Sequence, residues 1–404
     1  MKNKFIIDHV YAKDRKIYYE YRVEGEENFK KLFWLGEFFS VEYNEVIEGV
    51  PESILVIPLL CNILPIIWVN NATVYMNEID KTFYKSIDEI KKGYKDMLPY
   101  IHFKGKVKAK KKVKNDYEVT NRKATFFSGG VDSYSTLIRN MEEKPDLITI
   151  LGADIDFENG EGWKVVKQYV EGIGKKYHLK NVLIRTALRR FIDNSELEKQ
   201  YHELLDDNWW HAMQHGIGLI GNVAPYAYKY KLQTIYIPST YTKEDKEIVC
   251  ASRPEIDDKV KFGNTTVFCE GTDYNRQQKV NGISKYIKDK KDNITLRVCY
   301  RSLDGDNCCN CEKCYRTIMS FISQKVNPND IGFTVDKQKM QQIKEEMQRE
   351  DILDTVGANI LWKDIREAFE EDEAYWKDNE DVNWIFNFKK GKTNVKDKKI
   401  ELTK

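Results

Sequence analysis

The chain has 404 residues, 41% apolar and 12% aromatic, enough for a sizeable core and too many for one ordinary domain. Its 65 basic and 64 acidic residues leave a net charge of +1, which excludes a polyanion-binding surface spread over the whole molecule. The N-terminal apolar run is too short for a secretory signal, and the most apolar segment, Ile54 to Val69, holds Pro58, Asn62 and Pro65 and is shorter than a membrane span. A soluble cytoplasmic protein is expected, with neither membrane nor nucleic acid as a partner.

Residues 1–118 read as an N-terminal α+β accessory module. The stretch "KIYYEYRV", Lys16 to Val23, alternates as a strand, and "KLFWLG", Lys31 to Gly36, follows a turn-rich gap. Ile79 to Met97 places Ile79, Phe83, Ile87, Ile90 and Tyr94 on one helical face. The lysine-rich stretch from Lys104 to Tyr117 reads as a solvated linker or an exposed edge strand, and a polyanion contact is the other reading.

From Lys123 strands and helices alternate. Strands are expected at Ala124–Phe127, Asp146–Ala153, Asn181–Thr186, Thr234–Pro238 and Thr295–Cys299. Helices are expected at Asp132–Asn140, Gly162–Tyr177, Trp209–Tyr228 and Asn275–Ile287. This alternation predicts an α/β domain over residues 119–325, with a doubly wound, mainly parallel sheet. Residues 326–404 read as a charged helical segment whose tail, from Lys389, is frayed.

Between the first of these strands and its helix lies Ser128-Gly129-Gly130-Val131-Asp132-Ser133. A helix N-terminus exposes free N–H groups and a positive dipole end. Glycines let a phosphate approach that backbone, and serine hydroxyls add donors. Asp132 cannot donate to phosphate; it would hold Mg²⁺ or orient the loop. The plain alternative is a strand-to-helix turn, which needs only Gly130 and an Asp132 cap. The spacing is neither that of a Walker loop nor that of a dinucleotide fingerprint.

Of eight cysteines, Cys308, Cys309, Cys311 and Cys314 fall within seven residues, and Cys299 lies nine before Cys308. Clustering favours a metal over a disulfide framework. Four thiolates from Cys299, Cys308, Cys311 and Cys314 suit a closed, structural, tetrahedral Zn²⁺ site. Cys309 is either a bystander or a rival of Cys308. Buried core cysteines and an iron–sulfur cluster are the competing readings.

Other residues are candidates by position. His211 and His215 share a helical face, as base, substrate contacts or packing residues; Ala212 stands where a zinc protease needs Glu. Ser239, Thr240 and Tyr241 follow a strand, at the edge where open α/β sheets bind ligands, and Ser252 and Arg253 come soon after. Asp154 and Asp156 follow the second strand and would approach a nucleoside or cap their own loop. Asp273, Arg276 and Lys279 recur every three residues. Arg316 would brace the cysteine knuckle.

The SGGVDS stretch resembles the PP-loop of N-type ATP pyrophosphatases, whose signature is SGGxDS. Together with Cys299-Tyr300 and the Cys308, Cys311, Cys314 array, it is similar to the QueC-like (7-cyano-7-deazaguanine synthase-like) branch, over about residues 124–320. In length it looks like the larger QueC-like proteins of bacterial gene clusters, including antiviral defence systems. The VPGRN-type substrate segment of that branch is not visible, and Trp209 to Gly216 stands in its region.

The resemblance implies that Ser128, Gly129, Gly130, Val131, Asp132 and Ser133 bind ATP with Mg²⁺, with Asp154 near the nucleoside. Asp132, Ser133, Arg276 and Lys279 would be catalytic, the last two as cations for the leaving pyrophosphate. His211, His215, Ser239, Tyr241 and Arg253 would contact substrate. The implied reaction is an ATP-dependent carbon–nitrogen ligation. A carboxylate, with 7-carboxy-7-deazaguanine as the candidate, is adenylated with release of pyrophosphate, and an amine then forms an amide or nitrile. A partner protein's N-terminus is one candidate acceptor, and residues 1–118 its docking surface. Two other functions stay open: tRNA thiolation through Cys309, Cys250 or Cys269, and a non-catalytic ATP-binding subunit of a complex.

Overall fold

The computed structural model describes residues 2–34, 37–299, 301–302, 304–349 and 356–388. Leu35 and Gly36 of the KLFWLG stretch, Tyr300 of the cysteine motif and the tail from Lys389 lie outside the described residues. The chain forms two compact units: Met1–Tyr274 with Tyr300–Asp306, and Asn275–Cys299 with Asn307–Lys404.

The first unit is α/β, built on an 11-stranded, mainly parallel sheet. A hairpin opens it: β1 (Lys4–Lys13) and β2 (Lys16–Glu24) pair antiparallel around Asp14, whose φ is +51°. A short helix α1 (Glu27–Lys30) leads to β3 (Ser40–Tyr43), antiparallel to β2. Of KLFWLG, Phe33 makes a single bridge to Ile192, not a strand. Next come α2 (Glu52–Leu55) and α3 (Ile57–Val69). The apolar segment is thus a core helix: every residue from Ile57 to Trp68 is buried. Then β4 (Thr73–Asp80) runs parallel to β1 and leads into α4 (Lys81–Met97), whose first turn is capped by Asp80 through Phe83 N–H at 2.8 Å. Ile79, Phe83, Ile87, Ile90 and Tyr94 are buried, as the periodicity predicts. The lysine-rich stretch holds β5 (Lys106–Val113), the last strand at one edge of the sheet, parallel to β4. Charged side chains on an edge strand discourage pairing with other chains.

The second half of the unit is doubly wound. In chain order it contains β6 (Lys123–Phe126), α5 (Val131–Arg139), β7 (Asp146–Leu151), α6 (Gly160–Tyr177), β8 (Asn181–Thr186) and α7 (Asn194–Leu205). A π-helical turn, Trp210–Gln214, then leads into α8 (His215–Gly221) and α9 (Ala224–Tyr230). The single helix expected over Trp209–Tyr228 is therefore three pieces. Pro225, lacking an N–H, opens a new helix, and the Asn222 amide turns back to donate to Gly218 O at 2.6 Å. The glycines of α8 bring it against α3, since a Cβ on Gly221 would stand 2.4 Å from that of Cys61. Last come β9 (Thr234–Pro238), α10 (Pro254–Asp257), β10 (Lys261–Phe262) and β11 (Thr265–Glu270).

The strand order is β10-β11-β9-β6-β7-β8-β3-β2-β1-β4-β5. Strands from residues 1–118 and from residues 119–274 thus share one sheet, joined where β3 lies antiparallel to β8. From β6 the chain winds outward through β7 and β8, then returns to place β9 on the other side of β6. The crevice at the carboxyl ends of β6 and β9 is therefore a topological switch point, where such sheets bind ligands.

The second unit is helical: α11 (Arg276–Lys290), α12 (Glu312–Ser323), α13 (Lys337–Met347), α14 (Val356–Glu370) and α15 (Glu373–Trp376). The expected strand Thr295–Cys299 is assigned to no element and has no ladder partner among the described residues. A side chain takes the ladder's place: Asn307 Oδ1 accepts from the N–H of Val298 and of Cys299, at 2.9 and 3.3 Å.

Candidate functional site

In the first unit the SGGVDS loop leaves β6 at the switch point. Gly129 has φ +83°, and a Cβ there would lie 2.4 Å from the Tyr169 ring, so glycine is required on both counts. Gly130 is the N-cap of α5 and, being glycine, leaves that end without a side-chain cap. Its N–H points to Ser128 Oγ at 3.4 Å, and its carbonyl accepts from the Ser133 hydroxyl at 2.9 Å. Val131 and Ser133 are buried, Ser128 is exposed and Asp132 is half-buried. The loop is braced from below, where Thr149 Oγ1 donates to Phe127 O at 2.8 Å.

The segment after β9 meets this loop. Thr240 Oγ1 donates to Asp132 Oδ2 at 3.0 Å, and the Ser239 hydroxyl donates to Tyr241 O at 2.6 Å. The helix behind the loop is pinned to β11: Glu270 accepts from Thr136 Oγ1 at 2.6 Å and from Arg139 Nε at 2.9 Å. The loop is thus compact, with its Asp132 carboxylate held by the segment that follows β9.

Other sequence candidates fall into two groups. Ser239, Tyr241, Ser252 and Arg253 line one pocket with Cys250, and the His211 ring lies 6.5 Å from that of Tyr241. Asp154 is exposed on the loop after β7, where it and Asp156 face the Arg189 guanidinium. Burial drives the pKa of that guanidinium down, and the two carboxylates oppose the shift. Arg276 and Lys279 belong to the second unit, buried in the first turn of α11 behind an Asn275–Gln278 capping box.

The cysteine centre lies wholly in that second unit. The Sγ atoms of Cys299, Cys308, Cys311 and Cys314 all lie within 4.8 Å of one another. Two of their separations are 4.0 Å (Cys299–Cys311) and 3.9 Å (Cys308–Cys314). Tetrahedral zinc with bonds of about 2.3 Å sets its sulfurs about 3.8 Å apart, so the thiols could hold a zinc ion with little movement. Cys309 is not in the group. Its φ of +50° turns it away, to donate to Asn307 O at 3.7 Å and accept from Thr334 N–H at 3.4 Å.

Cys311 forms the N-cap of α12, and the Asn310 N–H points to Cys308 Sγ at 3.4 Å. Hydrogen bonds from its neighbours, Cys314 first, hold the Cys311 thiol down at about 5. The same neighbours push Cys314 well up, while burial raises Cys308 to about 11. Thiolates packed this closely cannot all ionise unless a cation neutralises them, the condition that zinc supplies. Arg316 pairs with Glu312 at 3.0 Å, and Trp362 Nε1 donates to Glu312 at 2.8 Å, which ties the knuckle helix to α14.

One constellation escaped the sequence reading. His211 Nδ1 and Asp207 Oδ2 are 2.5 Å apart, and the Cys250 thiol, near both imidazoles, donates to Ser252 O at 3.7 Å. Burial alone would pull the His211 pKa down, but Asp207 and then Cys250 outweigh it and raise it to about 10. Burial likewise pushes the Cys250 thiol up, and hydrogen bonds from His211 and His215 outweigh that and lower it to about 6. The legible signal was Asp207, four residues before His211.

No helix among the described residues is long and apolar enough to cross a membrane. No family model, curated protein or solved structure matches the chain.

Proposed function

We propose that the chain is a PP-loop ATP-dependent carbon–nitrogen ligase of QueC-like type, which adenylates a carboxylate and passes the acyl group to an amine. The observation that carries this reading is the glycine cradle at the β6/β9 switch point, with Asp132 gripped by Thr240. The loop backbone and the N-terminus of α5 bind and orient the ATP phosphates, and the Ser128 and Ser133 hydroxyls border them. Asp132 is the carboxylate that would hold Mg²⁺, which neutralises charge on the phosphates when bound. Positioning and fixed dipoles carry much of the rate in such a transfer. The proposed carboxylate is 7-carboxy-7-deazaguanine, and the proposed acceptor is ammonia or a protein N-terminus. Zinc in the second unit is structural in this reading, because four thiolates leave no open position for substrate.

A second reading, sulfur transfer to RNA, has one observation in its favour, the acidic Cys250 thiol in the same unit as the loop. Incubation with ATP, Mg²⁺ and 7-carboxy-7-deazaguanine, followed by pyrophosphate and AMP, tests the ligase. Pyrophosphate should appear only when the carboxylate is present. Absence of carboxylate-dependent release, with and without an amine, would sink the ligase reading.

A further inference from the structure

In the strands β2-β1-β4-β5 of the first unit, α2, α3 and α4 cover the face that carries Phe5, Ile7, Val10 and Val74, all buried. The alternate residues, on the opposite face, are half-buried or exposed, and many are aromatic or basic. Tyr11 and Tyr18 stand opposite each other on β1 and β2 with stacked rings, centroids 5.3 Å apart, and Tyr11 is 47% exposed. On β4, Tyr75 is the partner of Ile6 on β1. Lys106, Lys108 and Lys110 of β5 are exposed on this same face, since Val107 and Ala109 between them pack on the core. The Lys108 ammonium stands 5.6 Å over the Tyr75 ring, and the Lys16 ammonium 5.2 Å over Tyr18.

Two recesses open on this face and adjoin along β2. The larger, about 660 Å³, is lined by Lys4, Arg22, Lys108 and Lys110 against one carboxylate, Asp8, with Tyr75 and His9 beside them. The smaller, about 330 Å³, holds Tyr11, Tyr18 and Lys16 with Glu20. Both have the scale of ligand sites, about 300–1,000 Å³. Asp8 and Glu24 pair with Arg22, and Glu24 with Lys4 at 3.2 Å, but these pairs are exposed and worth little, so a phosphate can replace the carboxylate. Lys110 donates to the Asn77 amide oxygen at 2.9 Å, and Lys108 faces a ring; both partners are neutral and leave the positive charge in place. The chain's net charge of +1 hides this basic face, because acidic residues elsewhere balance it.

Ring faces set beside cations suit bases strung on a phosphate chain. A duplex hides its base faces, and an acidic peptide would use the lysines but leave the rings bare. His9 and Glu20 are opposite each other on β1 and β2, both exposed, between Tyr75 and the Tyr11–Tyr18 pair. They offer a donor and an acceptor to a ribose 2′-hydroxyl, which deoxyribose lacks. From Ile6 to Tyr11 is five residues of β1, roughly 16 Å, a distance that about four nucleotides cover.

We propose that the open face of β2-β1-β4-β5 binds single-stranded RNA. Its bases stack on Tyr75 and on the Tyr11–Tyr18 pair, and its phosphates meet Lys4, Arg22, Lys108 and Lys110. This binding does not depend on adenylation and involves no covalent step.

Fluorescence anisotropy of full-length protein with a labelled, unstructured RNA of about 12 nucleotides tests it, at salt from about 50 to 300 mM. Parallel titrations use DNA of the same sequence, an RNA duplex, a polyglutamate peptide, and vesicles of equal parts phosphatidylcholine and phosphatidylserine. Four phosphate contacts predict a slope of log affinity on log salt of about −3. The RNA should bind about tenfold more tightly than the DNA, and the duplex, peptide and vesicles more weakly than the RNA. The double variant Lys108→Gln, Lys110→Gln should flatten the slope by about 1.4. Tyr75→Ala should weaken RNA binding about tenfold at every salt concentration, and Tyr75→Phe, which keeps the ring face, should bind as wild type. An unchanged thermal midpoint shows that each variant is folded. Absence of RNA binding at the lowest salt, equal affinity for DNA, tighter binding of peptide, duplex or vesicles, or wild-type affinity and slope in Tyr75→Ala and the double lysine variant overturns the proposal.

Discussion

Replacing Cys308 or Cys309 by serine distinguishes a four-thiol zinc site from a loose cysteine cluster. The two residues are adjacent, yet only Cys308 belongs to the group whose sulfurs lie within 4.8 Å of one another. Structural zinc binding is worth about 10–16 kcal/mol at neutral pH, so one thiolate of four carries roughly 3 kcal/mol. At about 1.4 kcal/mol per decade, Cys308→Ser should weaken zinc affinity on the order of 100-fold. Cys309→Ser exchanges two weak sulfur contacts, to Asn307 and Thr334, for hydroxyl ones and should cost less than about 1 kcal/mol. The assay is zinc content by mass spectrometry, then competition against a chromogenic chelator, with thermal midpoints before and after chelation. Wild type and Cys309→Ser should carry one zinc per chain and lose stability on chelation. Cys308→Ser should release its zinc first. Equal zinc loss in both variants would refute the ligand set, and iron with labile sulfide in the wild type would refute zinc.

Further outcomes follow from the same geometry. Asp132→Asn keeps the Thr240 contact but removes the charge, so pyrophosphate release should fall at least 100-fold with the thermal midpoint unchanged; retained release would take Asp132 out of the site. Gly129→Ala must adopt φ +83° and push Tyr169 aside, and should lose about 2 kcal/mol in denaturant unfolding; a neutral result would show that the loop relaxes. Glu270→Gln leaves the partly exposed Arg139 without its carboxylate and should lower stability by about 2 kcal/mol. The Cys250–His211 pair has a pH window. The thiol is lowered, so its contribution is present above about pH 8.5 and lost as pH falls through about 6; the imidazole is raised, so its contribution is present below about 6.5 and lost as pH rises through about 10. The stability advantage of wild type over Cys250→Ala should therefore peak near pH 8, and a flat difference from pH 5 to pH 11 would contradict the ion pair.

What could be read from the sequence was local. The periodicity of Ile79 to Tyr94, the strand ahead of SGGVDS and the four-thiol spacing each lie within a few residues, and the structure keeps all three. Pairings across long separations could not be read. β3 is four residues long and β10 two, too short for a recognisable alternation, yet β3 decides which strands share a sheet. The choice between Cys308 and Cys309 needed a backbone angle that spacing does not encode. Cys250 lies 39 positions after His211 in the sequence, across β9 and a turn-rich segment, and its partners became visible only once the π-helical turn was folded against it.

The antiparallel contact of β3 with β8 changes what can be cut from this chain. Removing residues 1–118 would strip β3 from β8, baring a row of backbone donors and acceptors, and would uncover the face of α8 that α3 covers. The half that carries the SGGVDS loop is therefore not an excisable cassette. During synthesis the first hundred residues must wait for β8, more than 130 positions downstream, before their sheet is continuous. In the finished protein, a partner that pulled on the N-terminal strands would strain the same sheet that holds the SGGVDS loop.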